Sequence, residues 1–118
     1  MITPPYTSQQ PVDDFGLSFT DLKYSAALAA TTDTTLTIPG KAPRYKAIIK
    51  VDANLVWVAL NATAAVPAGT SFAATTSELV SDNNALCREV KAGDVLHFYT
   101  ATATTNVSVV LYAIGTNN

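Results

Sequence analysis

Arg44-Tyr45-Lys46-Ala47-Ile48-Ile49-Lys50-Val51-Asp52-Ala53-Asn54-Leu55-Val56-Trp57-Val58-Ala59-Leu60 holds two apolar runs around a three-residue break. In the first run, Arg44, Lys46, Ile48 and Lys50 alternate with Tyr45, Ala47, Ile49 and Val51. A period of two sends successive side chains to opposite faces of a strand, so this run reads as a half-buried β-strand with a basic outer face. The second run, Leu55 to Leu60, is apolar throughout. It is short and β-branched, which suits a central strand covered on both faces. Asp52-Ala53-Asn54 is turn chemistry, and the expected arrangement is a hairpin of the two strands. Trp57, flanked by Val56 and Val58, is expected in the core, the alternative being an exposed sugar-stacking platform with Tyr45, Tyr99, Tyr112 and Phe98.

The same pattern continues outward in both directions. Thr34-Thr35-Leu36-Thr37-Ile38 alternates and is stopped by Pro39-Gly40. Tyr24 to Ala30 is Ala-rich, and a helical turn competes with a strand there. Pro67-Ala68-Gly69 is a turn, Ser71 to Ala74 a candidate short strand, and Thr75 to Asn84 a polar surface loop. Ala85 to Val90 and Val95 to Thr100 are strands joined as a hairpin by Lys91-Ala92-Gly93-Asp94, and Asn106 to Ile114 is the closing strand. No amphipathic helical period follows residue 31. The expected fold is all-β: a single β-sandwich (jelly-roll-like) or small barrel of about seven or eight antiparallel strands.

Residues 1 to 22 differ from this body. They hold three of the six prolines, Pro4, Pro5 and Pro11, and show no regular period over their length. Proline fixes φ and removes an N–H, which favours an extended chain. The expected organisation is therefore an extended Pro-rich N-terminal arm, 1–22, and a β-sandwich domain, 23–118. The arm carries Tyr6, Val12, Phe15, Leu17, Phe19 and Leu22, too many apolar residues for a plain solvated tail. Pro4, Pro5, Tyr6, Val12, Phe15, Leu17 and Phe19 are the candidate partner-binding residues of the arm. Their two readings are packing on their own domain and reaching a neighbouring subunit.

At 118 residues the chain has the size of one domain, and charged residues make up only 14% of it. Seven Lys and Arg against nine Asp and Glu leave a net charge of −2, which excludes the balance of a nucleic-acid binder. No apolar run approaches the ~20 residues of a membrane helix, and the start lacks a secretory signal pattern. One His and one Cys supply few ligands or nucleophiles, so neither a metal site nor a cofactor is expected. His97 reads as a hydrogen-bonded or surface histidine, and Cys87 as a small buried hydrophobe inside a strand. Most of the nine acids fall at turns, where Asp bonds its own backbone, so no catalytic pair stands out and the protein reads as non-enzymatic. Lys41, Arg44, Lys46 and Lys50 form the one charge cluster. It reads as a solvated face that discourages edge pairing, or as a patch that complements an acidic partner.

Leu36-Thr37-Ile38-Pro39, Tyr45 to Val51, Val66-Pro67-Ala68-Gly69-Thr70, Val90 to Leu96 and Asn106 to Ile114 together resemble small β domains of tailed-bacteriophage virions. The resemblance covers roughly residues 30–114 and is one of pattern and composition. It implies a capsid decoration (cement) protein that docks on the major capsid protein or other virion proteins. It also implies a homo-oligomer, with a trimer as the first expectation, made in the host bacterial cytoplasm and incorporated into the virion. The alternatives are a tail, spike-base or head-fibre attachment protein, or a glycan-binding module.

Overall fold

A computed structural model describes residues 19–102 and 104–114. The described chain is all-β, with eight strands in two antiparallel four-stranded sheets packed face to face. The strands are β1 (Lys23–Leu28), β2 (Thr34–Thr37), β3 (Arg44–Val51), β4 (Leu55–Leu60), β5 (Ser77–Ser81), β6 (Leu86–Lys91), β7 (Val95–Tyr99) and β8 (Thr105–Ile114). Sheet A has the order β1-β8-β3-β6 and sheet B the order β2-β7-β4-β5. Only the β4 to β5 connection stays within one sheet; every other connection crosses to the opposite sheet. This interleaved order is a jelly roll.

Alternation builds the core. Along β3, Tyr45, Ala47, Ile49 and Val51 are buried, while Arg44, Lys46 and Lys50 are exposed and Ile48 is half-buried, as the period-two pattern requires. Val107, Val109 and Leu111 of β8 extend this inner face, and Val56, Val58, Leu96 and Phe98 of sheet B close over it. Tyr45 is fully buried, and its hydroxyl accepts a hydrogen bond from the Ala42 N–H at 2.8 Å.

Both expected hairpins are absent. β3 pairs with β6 and β8, whereas β4 pairs with β5 and β7. Asp52-Ala53-Asn54 and Lys91-Ala92-Gly93-Asp94 are therefore arches between the sheets. Asn54 and Gly93 take left-handed conformations there, with φ of +62° and +86°. The first arch is tied to β8: Asn106 donates its N–H and its Nδ2 to Asp52 at 2.9 and 2.6 Å. The second is tied back on itself, with the Lys91 N–H donating to Asp94 Oδ2 at 2.9 Å.

Three further expectations are corrected. Residues 23–28 form strand β1 with no helical turn, because pairing with β8 supplies partners that an isolated Ala-rich segment lacks. Ser71 to Ala74 is not a strand, and a strand lies instead at Ser77–Ser81, within the stretch expected as a loop. Cys87 is exposed rather than buried, because β6 is an edge strand and Cys87 shares the outward face of sheet A with its register partner Ile48.

Candidate functional site

The outer faces of the two sheets differ in chemistry. On sheet A, β3 projects Arg44, Lys46, Ile48 and Lys50 outward, and β8 projects Ser108, Val110 and Tyr112 beside them. Arg44 is held by Glu89 on β6, which neutralises it. Lys41, Lys46 and Lys50 are exposed and have no ion-pair partner among the described residues, so the basic face is real but narrower than the sequence implies. Its apolar floor, Ile48 and Val110, is half-buried.

Sheet B presents an aromatic row. Trp57 stands in register between Tyr99 on β7 and Leu79 on β5, and its neighbours Val56 and Val58 point inward. Trp57 is therefore outside the inter-sheet core, contrary to expectation, and half-buried. β4 is central to its sheet, as expected. Its outer cover, though, is the β4–β5 connection, and its end residues Leu55 and Leu60 are exposed. Residues Val66 to Thr75 arch beside Trp57 and bound a cavity of about 520 Å³ with it.

That connection is anchored at its ends and free in its middle. Asp33, between β1 and β2, accepts the Ala64 N–H at 3.1 Å through Oδ1 and the Nδ1–H of His97 at 2.8 Å through Oδ2. Ser77 Oγ accepts the Ala65 N–H at 3.1 Å. Asn61, in a left-handed conformation at φ +55°, accepts the Val95 N–H at 2.8 Å. Between these anchors, residues 66–74 make no hydrogen bond among the described residues. Phe72 projects fully into solvent from this span.

Asp33, His97 and Ser77 are residue types of a nucleophilic relay. Here His97 and Ser77 lie on strands either side of β4, both in register with Ala59, so about 10 Å separates their backbones. Ser77 Oγ is engaged by Ala65, and the three serve as a clamp on the loop rather than as a relay. Among the described residues no group of three or more His, Cys, Asp or Glu side chains converges to hold a metal ion.

Of the arm candidates, Pro4, Pro5, Tyr6, Val12, Phe15 and Leu17 lie outside the described residues. Phe19 is described; it is 95% exposed, with its ring centroid 5.4 Å from Lys23 Nζ. Sequence reasoning ranked the exposed side of Trp57 second to a core position and missed the free loop beside it. The signal that could have found them is charge: Ala53 to Ser77 contains no charged residue. No protein-family model matches the chain, and no curated protein or solved structure is significantly similar to it.

Proposed function

We propose that this is a non-enzymatic structural protein of a tailed-bacteriophage virion, a decoration protein that docks on the major capsid protein and stabilises the shell. The observation that carries this reading is the uncharged stretch from Ala53 to Ser77. Four strongly exposed large apolar residues, Leu55, Leu60, Val66 and Phe72, fall inside it, and Leu79 adjoins it in register with Trp57. A docking face must shed water, and burying an unpaired charge costs far more than burying apolar surface. A stretch of chain with no charges lowers that cost. The basic outer face of sheet A lies on the opposite side of the sandwich, where charge sets orientation and encounter more than affinity. Repetition on a lattice multiplies a weak single contact through avidity.

The test is to purify the virions whose genome encodes this sequence and ask whether the protein co-sediments with them. Co-sedimentation that is weakened by Phe72→Asp supports the reading, and absence from the particles overturns it. A second reading, a glycan-binding module, is favoured by one observation: Trp57 faces outward beside Tyr99. It expects saccharide binding on a glycan array that Trp57→Ala abolishes, and a blank array removes it.

A further inference from the structure

The two lateral edges of the sandwich are built differently. Along one, Arg88 of β6 donates from Nε and Nη2 to both carboxylate oxygens of Glu78 on β5, at 3.0 and 2.6 Å, and so clasps sheet A to sheet B. Along the other, β1 and β2 are the edge strands, and no side-chain hydrogen bond or ion pair joins them among the described residues. A cleft of about 200 Å³ opens between them, lined by Tyr24, Ala26, Leu28, Leu36, Phe98 and Val109, among others.

Ala26 shows what the cleft lacks. Its register partner Val107 is 4% exposed and belongs to the core, so Ala26 faces inward, yet it is exposed to solvent. An inward-facing residue open to water marks a row of core without its cover. The cleft is smaller than the ~300–1,000 Å³ typical of small-molecule pockets. Its rims are two strand edges, and an edge strand leaves alternate N–H and C=O groups unpaired. An extended segment that pairs with the edge and drops alternate apolar side chains inward matches both features.

The chain itself contains such a segment. Phe15-Gly16-Leu17-Ser18-Phe19 places apolar residues at alternate positions, the one regular stretch of the arm. Asp13 and Asp14 precede it and complement Lys23, the only charged residue of β1. Its own domain is poorly placed to receive it. Leu22 already continues the β8 ladder, with its carbonyl accepting the Leu111 N–H at 2.9 Å. Phe19 lies against Lys23, whose register partner Val110 is on the outer face of sheet A, whereas the cleft opens on the inner side of β1. The chain thus leaves on the wrong side of its own edge strand. The chain from Leu22 back to Phe15 spans at most ~25 Å when extended, so the receiving copy must lie directly beside β1.

We infer that the arm of one copy adds to the β1 edge of a second copy, with Phe15 and Leu17 filling the cleft between β1 and β2. This inference does not depend on the virion reading, because it concerns only contacts between copies of this chain.

The test uses the full chain in a Cys87→Ser background carrying Leu17→Cys and Ala26→Cys. Mild oxidation is expected to give disulfide-linked dimers and larger species on a non-reducing gel. A monomer closed by an internal disulfide, or no disulfide at all, overturns the inference. Analytical ultracentrifugation of the unmodified chain is expected to show self-association. Phe15→Ser with Leu17→Ser should weaken it on the order of tenfold or more, as loss of buried anchors does. Ala26→Trp, which fills the cleft at an already exposed position, should do the same with an unchanged circular dichroism spectrum. A chain that stays monomeric at high micromolar concentration, or association indifferent to Ala26→Trp, overturns it as well.

Discussion

Tyr45 shows how much one buried atom matters. Its side chain is fully enclosed, and its hydroxyl is the partner of the Ala42 N–H at the approach to β3. Tyr45→Phe keeps the packing and leaves that donor unsatisfied, which costs roughly 1–3 kcal/mol. Urea denaturation should show the loss as a lower midpoint with an unchanged slope; a neutral result would mean that water replaces the hydroxyl. Asp52 acts through charge instead. The side-chain amide and then the backbone N–H of Asn106 hold its carboxyl below the ordinary 3.8, despite a small opposing effect of burial. A carboxylate with a depressed folded pKa stabilises the fold fully above its unfolded pKa, and the contribution is lost as pH falls through the folded value. Asp52→Asn should therefore be less stable than the parent at pH 7. The difference should narrow as pH falls through the lowered folded value, as thermal melts across pH would reveal. Legibility at this scale was uneven. The inward set of β3 could be read directly, because alternation is a local property. The outward aspect of Trp57 could not, because Leu55 to Leu60 is apolar on both faces and gives no sign of which side meets the second sheet.

At the scale of elements, turn chemistry reported a change of direction and nothing more. Asp52-Ala53-Asn54 and Lys91-Ala92-Gly93-Asp94 both reverse the chain, and neither sequence says whether the next strand joins the same sheet or the opposite one. That choice depends on which strands are available to pair, and β8, distant in sequence, takes the place beside β3 that a hairpin would have given to β4. β5 escaped notice for a related reason. Ser77-Glu78-Leu79-Val80-Ser81 has only two apolar residues, and just one of them, Val80, is buried. The β4–β5 connection carries its own prediction. Residues 66–74 make no hydrogen bond among the described residues while their ends are pinned by Asp33 and Ser77, so their amides should exchange with solvent near the intrinsic rate. The amides of β3 and β8 should be protected by many orders of magnitude. Amide exchange followed by NMR distinguishes this from a loop that closes over Trp57, whose amides would be slowed.

The whole molecule is dominated by pairings between distant parts of the chain. β1 and β3 are joined only through β8, which lies between them in sheet A. Topologies of this kind fold in milliseconds to seconds, because a long loop must close before any contact repays it. Refolding followed by Trp57 fluorescence should fall in that range, and a microsecond phase carrying the whole amplitude would contradict it. Deleting residues 105–114 should abolish cooperative unfolding altogether, since both neighbours of β8 would lose their partner.

The position of β8 also sets a schedule for biosynthesis. At ~5–20 residues per second, roughly 3 to 13 s pass between translation of Val51, the end of β3, and of Ile114, the end of β8. During that interval β3 has both edges bare until β6 is made and then the edge that β8 will take, while β1 has no partner in its sheet. Nascent chains on neighbouring ribosomes of one message would hold the same bare edge in common, and slow codons upstream of Thr105 would lengthen the exposure. A stretch of transcript favouring rapid decoding there is the arrangement that best protects this fold from pairing with its own siblings before it is complete.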